Sequence, residues 1–293
     1  MSRNTAPVPD AALAELLNGY SAEVTTRDTK SLSAAQDILP PGTEVFVASL
    51  PKDRPDRQIT VSTELRAAGL TPVPHIVARN IADRTALDGL LERLAREAGV
   101  DRALVLGGDR DVPAGVFDSA QQLLETGLFE RYGFRRILIS AYPEGHPRIA
   151  DTVLDRARAD KLALIAAAGI EAELVSQFCF ESAPVIALAE KLLRSGCTAS
   201  LRVGVAGPAD RAMLVKYAMI CGVGPSLRAL KERQNLARTM LSGETPDIML
   251  AEIAAECRNR PDLPISGVHL FTFSSLVKTA AWAAGHLGRT PSA

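Results

Sequence analysis

Short runs of β-branched and apolar residues recur along the chain, and most are followed by a longer stretch in which apolar residues return every three or four positions. Eight such runs stand out, at 20–26, 44–50, 72–78, 103–108, 136–142, 172–180, 201–206 and 268–273. Between the third and fourth, Leu87, Leu90, Leu91 and Leu94 fall at i, i+3, i+4 and i+7. That spacing predicts an amphipathic helix over 83–98, with Asn80 or Asp83 as its cap. Segments from Thr63, Phe117, Pro147, Ala183, Asp210 and Ser275 carry the same pattern less cleanly, and Pro147 stands where a first helical turn tolerates proline. A β-then-α order repeated eight times requires parallel strands joined by crossover helices, and predicts a closed (β/α)8 TIM barrel forming one domain over 1–293. An open doubly wound sheet is the alternative, but the first strand is not followed by Gly-x-Gly-x-x-Gly, and no Gly-x-x-x-x-Gly-Lys loop occurs. The stretch 225–264, before the eighth strand, reads as helical throughout and predicts an inserted excursion on the barrel.

Composition narrows the class of partner more than the fold. At 47% hydrophobic and 23% charged over 293 residues, the chain has the apolar content of a folded enzyme-sized protein. Lys plus Arg is 33 against 34 Asp plus Glu, so a net charge of -1 provides no field to draw it onto nucleic acid or an acidic membrane. Neither partner is expected. The longest apolar stretches, such as 162–170, fall short of the ~20 residues that cross a bilayer. With no basic-then-apolar signal pattern at the start, a cytoplasmic protein is expected. Cys179, Cys197, Cys221 and Cys257 are widely spaced and the histidines are scattered, so reduced thiols and no metal site are expected. There is no His-Glu-x-x-His, no Gly-x-Ser-x-Gly elbow and no RNA-binding aromatic signature.

In a (β/α)8 barrel the reactive groups stand at the C-terminal ends of the strands. Glu23 lies in the first run, where a carboxylate projecting into the barrel mouth would have its pKa raised and suit a general acid; a surface position on an outer pleat is the alternative. His75 sits among apolar residues, as a core histidine would. The fourth run ends Leu106-Gly107-Gly108-Asp109, where two glycines either admit a flat ligand to the backbone or make a tight turn. The fifth ends Ala141-Tyr142-Pro143-Glu144-Gly145-His146-Pro147, an aromatic and an imidazole at a strand-to-helix junction, with a helix start near Pro147 presenting free N–H groups to phosphate. Gln177, between bulky apolar neighbours, needs a partner from the protein or from a ligand.

Taken together, Glu23, Pro74-His75, Leu106 to Asp109, the Tyr142-Pro143-Glu144-Gly145-His146-Pro147 string and Ser176-Gln177-Phe178 resemble the methylenetetrahydrofolate reductase family, in order and approximate spacing along most of the chain. The Tyr-Pro-Glu-x-His-Pro string is the most specific element. The resemblance implies a (β/α)8 barrel that binds FAD non-covalently and interconverts 5,10-methylenetetrahydrofolate and 5-methyltetrahydrofolate in one-carbon metabolism, with NADH or NADPH as electron partner. It matches Glu23 to the glutamate that protonates N10 of the folate, Asp109 to the aspartate near flavin and pterin, and Gln177 to the glutamine on the pterin. It matches Ser49, His75, Leu106, Gly107, Gly108, Tyr142 and His146 to residues at the FAD, and puts Asp155 and Lys161 in the helix that contacts the FAD ribose and diphosphate.

Three departures stand against the pattern. The family continues its first strand as Glu-Phe-Phe-Pro-Pro, where this chain has Glu23-Val24-Thr25-Thr26-Arg27. Gly107 stands where arginine is common, and Ser274-Ser275 replace Asn-Arg after the last strand. These changes bear on the nicotinamide and on the polyglutamate end of folate more than on the flavin. The chain ends soon after the eighth strand, so control through a C-terminal regulatory domain is not expected. Two other classes fit the same residues: a flavin-free pterin enzyme such as a folate methyltransferase, and a non-catalytic flavin- or folate-binding barrel. A homo-oligomer is compatible with the sequence.

Overall fold

The computed structural model describes residues 11–50, 53–209 and 245–288, together with Leu214 and Met219. Eight strands are ordered β1 to β8 around a closed parallel barrel. They are β1 (Ser21–Thr25), β2 (Glu44–Ala48), β3 (Thr71–Val77), β4 (Arg102–Leu106), β5 (Arg136–Ala141), β6 (Glu171–Ser176), β7 (Ser200–Ala206) and β8 (Ile265–Phe271). Each coincides with a predicted run to within a few residues. The described helices are α1 (Ala11–Leu17), α2 (Thr29–Ile38), α3 (Pro55–Ala67), α4 (Arg84–Ala98), α5 (Ala120–Leu124), α6 (Leu128–Arg131), α7 (Asp151–Ala167), α8 (Ser182–Arg194), α9 (Asp247–Asn259) and α10 (Leu276–His286). Among the described residues, no helix is long and apolar enough to cross a membrane.

The strand alternation explains the layering. In β2, Val45 and Val47 pack outward in a cluster with Leu13, Leu17 and Val61, whereas Phe46 packs inward against Val73, Leu104, Leu138 and Val175. Helix α4 behaves as its spacing predicts: Leu87, Leu91 and Leu94 are buried, Asp83 accepts a hydrogen bond from the Ala86 N–H at 2.8 Å, and Gly99 closes the helix in the left-handed region.

Several predicted boundaries move. The helix expected from Thr63 begins at Pro55, with proline in its first turn, and the one expected from Phe117 is the short pair α5 and α6. Helices α1 and α2 are additional; α2 is capped by Asp28, which accepts from the Ser31 N–H. The predicted helix start near Pro147 is wrong. Residues 142–149 form turns instead: the Gly145 N–H donates to the Tyr142 carbonyl, the Arg148 N–H to His146 Nδ1, and α7 starts only at Asp151. A carboxylate in that first turn repels phosphate, so the expected phosphate site at Pro147 is lost with it. Of the predicted 225–264 insertion, α9 is helical and 260–264 is not; 225–244 and, apart from Leu214 and Met219, the segment starting at Asp210 lie outside the described residues.

Candidate active site

A cavity of about 320 Å³ opens at the C-terminal ends of the strands, within the range that holds small ligands. Of the residues predicted from sequence, Glu23, Ser49, His75, Leu106, Gly107, Gly108, Asp109, Tyr142 and Gln177 line it together. They arrive from β1, β2, β3, β4, β5 and β6 or from the turns that follow these strands. His146, Asp155 and Lys161 do not line this cavity.

Glu23 is the inward residue of β1, and its side chain keeps 20% of its surface open. Its backbone carbonyl is anchored by the Thr272 hydroxyl at 2.6 Å. Two imidazoles flank the carboxylate: His75 Nε2 lies 3.6 Å from Glu23 Oε2, and His269 Nε2 lies 3.9 Å from the same oxygen. Burial raises the Glu23 pKa, only partly opposed by His75. Burial also drives His75 down to about 4, with Glu23 opposing and His269 assisting, and His269 down to about 3, with Arg202 assisting. Both rings are therefore neutral at physiological pH. The arrangement is a carboxyl whose pKa burial raises, set between two imidazoles whose pKa values burial lowers.

Among the described residues, neither imidazole nitrogen facing Glu23 has a hydrogen-bond partner, although both are buried. His269 is held from its other side, where Nδ1 lies 2.9 Å from Ser21 Oγ, and its ring leans on Phe46 with centroids 4.2 Å apart. Asn80 also lines the cavity, and its Oδ1 is buried without a hydrogen-bond partner among the described residues. Asn80 was one of two candidate caps for α4, but Asp83 takes that role.

Above the acid the walls differ in character. One is aromatic: Phe178, Phe271 and Phe273 stand with centroids 5.4 to 6.3 Å apart. Gly204 makes this wall possible, since a Cβ there would lie 2.7 Å from the Phe271 ring and 2.1 Å from the Ser176 carbonyl. Opposite stand the two glycines after β4, which have different reasons. Gly108 has φ of 101° and is backed onto Val77, whereas a Cβ on Gly107 would find nothing nearer than 4.0 Å. Gly108 makes the turn; Gly107 leaves the backbone open to a flat ligand. Asp109 is exposed at the rim. Gln177 accepts at Oε1 from the Phe178 N–H at 3.2 Å, leaving its amide nitrogen without a partner among the described residues.

Tyr142 stands at a junction. Its hydroxyl accepts from Ser140 at 3.0 Å, its ring meets His146 edge-on at 5.3 Å, and both Ser140 and Tyr142 also line an adjoining cleft of about 180 Å³. His146 is held below its ordinary pKa by partial burial and Arg148, with Asp109 opposing. The adjoining cleft contains Asp155, Arg158, Lys161 and Lys191. Asp155 is paired with Lys191 at 2.5 Å and Arg158 at 3.0 Å, and these hold its carboxyl below the usual range. Lys161 has no partner among the described residues, and burial, then Arg158, lowers its pKa. The cleft joined to the cavity through Tyr142 sets three basic side chains, Arg158, Lys161 and Lys191, beside two acidic ones, Asp151 and Asp155.

No family model matches the chain. Among solved structures it is similar to an uncharacterized protein from Clostridium thermocellum that binds two copies of 5-methyl-5,6,7,8-tetrahydrofolic acid, with a TM-score of 0.59 and 13% identity over 94% of this chain and 96% of that one. The barrel fold is shared. It also aligns with a dihydropteroate synthase from Thermus thermophilus, at a TM-score of 0.47 and 13% identity over 90% of this chain and 92% of that one.

Of the cavity residues, sequence reasoning missed His269, Asn80 and the specific placement of Phe273. The signal for His269 was present, since it shares the phase of Phe271 two positions on in a strand whose other phase is apolar. Asn80 carried no such signal, because a polar residue after a strand reads as a cap or a turn.

Proposed function

We propose that the protein interconverts 5,10-methylenetetrahydrofolate and 5-methyltetrahydrofolate, with non-covalently bound FAD as redox cofactor and NADH or NADPH as electron partner. The observation that carries this reading is the placement of Glu23: a carboxyl whose pKa burial raises, lining the cavity at the C-terminal ends of the strands within 4 Å of two imidazoles. Opening the five-membered ring of methylenetetrahydrofolate needs a proton at N10, and a carboxyl whose pKa is raised by burial is suited to deliver it. The resemblance of the chain to the reductase family supplies the substrate, and the binding of 5-methyltetrahydrofolate by a protein of the same fold is consistent with it.

The bound flavin would supply two-electron hydride chemistry. Gly107 and Tyr142 would receive its ring, while Lys161 and Arg158 would neutralise its diphosphate. Asp109 stands at the rim, where it would set the electrostatic environment of both rings and hold the folate. Gln177 would present its free amide nitrogen to acceptors on the pterin edge. After proton transfer the Glu23 carboxylate would be stabilised by His75 and His269.

A flavin-free folate enzyme, such as a methyltransferase, is the second reading, and one feature favours it: Asp155, expected at the FAD ribose, already has ion-pair partners on both oxygens. The visible spectrum of the purified protein separates the two. A flavin spectrum bleached anaerobically by 5-methyltetrahydrofolate is the expected result. Bleaching by folate but not by NADH would change the electron partner, and a colourless protein that takes up no added FAD would reject the flavin chemistry.

A further inference from the structure

Residues 107–119 connect β4 to α5 without a helix or strand of their own, and long connections of that kind in a compact fold are as a rule functional or disordered. This one is ordered, and the reason lies in the single helical turn Ala78–Asn80 that follows β3. The Arg79 N–H donates to the Gly107 carbonyl at 3.0 Å, the Ala114 N–H to the Arg79 carbonyl at 2.9 Å and the Val116 N–H to the Ala82 carbonyl at 3.1 Å. Gly115 lies flush between the last two, since a Cβ there would overlap the Ala82 carbonyl oxygen.

The Arg79 side chain adds what backbone pairing cannot. Its Nε donates to the Asp118 carbonyl at 3.0 Å, and its Nη1 to the Arg110 carbonyl at 2.8 Å and the Asp111 carbonyl at 3.2 Å. One guanidinium thus gathers both arms of the loop, 110–111 and 118. Each of these acceptors is a backbone carbonyl, so the group fixes the path of the chain. A planar fork of donors suits this, whereas a lysine ammonium is a point donor and would not hold the same three acceptors.

The loop carries Asp109. The carboxylate is exposed at the rim and makes no hydrogen bond among the described residues, so its place is set by the backbone on either side. On one side is Gly108, backed onto Val77; on the other is Arg110, whose carbonyl Arg79 holds. That place matters electrically, because burial and Arg148 lower the His146 pKa and Asp109 opposes them from across the rim.

We propose that Arg79, which does not itself line the cavity, is a positioning residue for the reaction: by clamping both arms of the 107–119 loop it holds the Asp109 carboxylate at the rim of the site. This rests on the reductase reading, in which Asp109 sets the electrostatic environment of both rings, and it names the group outside the cavity on which that setting depends. A shift of about 1 Å caused by a change remote from the chemistry costs up to about 10²-fold in rate.

The test follows, anaerobically, the rate at which 5-methyltetrahydrofolate bleaches the bound flavin, with amide hydrogen exchange of Ala114 and Val116 read on the same proteins. Arg79→Gln should speed exchange of both amides about ten-fold and slow flavin reduction about ten-fold. Arg79→Lys, which keeps the charge without the fork, should not restore the rate. The decisive arm is the double variant of Arg79→Gln with Asp109→Asn. With the carboxylate gone there is nothing left to position, so it should match Asp109→Asn alone within about two-fold. Gly115→Ala lifts the same loop off Ala82 without touching the guanidinium; it should repeat the loss of rate, and it keeps the test open if Arg79→Gln does not fold. Losses that multiply in the double variant, an unchanged rate while the two amides exchange freely, or full rescue by lysine overturn the inference and leave the reductase reading in place. A wild-type protein that takes up no FAD, or whose flavin the folate does not reduce, overturns both.

Discussion

The two ends of the barrel treat buried charge in opposite ways. At the N-terminal ends of the strands, Glu44, Arg102, Arg136, Glu173 and Arg202 form one network: Arg202 reaches Glu173 at 3.0 Å and Glu44 at 2.7 Å, while Arg102 and Arg136 also meet Glu44. Ser266 adds a hydrogen bond to Glu173 at 3.1 Å. Burial acts to raise the Glu44 pKa, but Arg202, Arg102 and Arg136 overcome it and hold the carboxyl below its usual value. At the other end, burial outweighs the mutual attraction of Glu23 and His75, and the pKa values of Glu23, His75 and His269 shift toward the neutral form of each. Between the two lies the apolar layer of Phe46, Val73, Leu104, Leu138 and Val175. Carboxylates lie against several arginines at one end of the barrel, whereas Glu23 at the other lies against two imidazoles.

Three changes probe this contrast, in falling order of effect. Glu23→Gln removes the proton donor and should lower folate turnover by about 10²- to 10⁴-fold, with flavin retention intact. Unchanged single-turnover rates would take Glu23 out of the mechanism. The same variant tests the pKa argument through stability. Because the folded pKa is raised, the Glu23 contribution is fully present below the unfolded value and is lost as pH rises through the folded one. Wild type should therefore lose more stability than Glu23→Gln on the alkaline side.

Arg202→Met, at the opposite end, leaves two buried carboxylates short of a partner and should cost about 3–5 kcal/mol in urea unfolding. FAD binding by the variant that remains folded should be unaltered. A loss under about 1 kcal/mol would mean that the network is no more than a set of exchangeable surface pairs.

The smallest effect concerns His269→Phe and is read as a slope with pH, because the substitution also leaves Ser21 without its imidazole partner. A histidine whose pKa drops from 6.5 to about 3 on folding stabilises fully above 6.5, and that contribution is lost as pH falls toward the folded value. Wild type should lose about 2 kcal/mol from this group by about pH 5, and the variant should not. Parallel unfolding midpoints between about pH 7 and pH 5 would show that the ring is charged in the native protein.

How much of this was readable beforehand differs by residue. Most strands were legible because they contain compact runs of Val, Ile, Leu and Ala bounded by turn residues, and α4 because one leucine face and one capping aspartate mark it. Pro147 misled for a local reason: proline suits a first helical turn, but here the His146 ring and carbonyl take the nearby N–H groups and delay the helix by a turn. Helix α2 was missed because only Ser31 and Ala35 are buried along it, too few to make a stripe. Asp155 and Lys161 were singled out by resemblance, and their separation from the main cavity by Tyr142 could not be read from spacing.

The order of eight β-and-α units follows from the sequence by itself, because it depends on periodicity and on neighbours a few positions away, whereas the choice for Glu23 between the barrel mouth and an outer pleat does not. Nor does closure of the sheet. It pairs Ser21 of β1 with His269 of β8, residues 248 positions apart, and so puts an imidazole beside the acid at one end of the barrel. The raised carboxyl and the two neutral rings are properties of that convergence. Desolvation acts through space, and only the folded chain decides which groups share it.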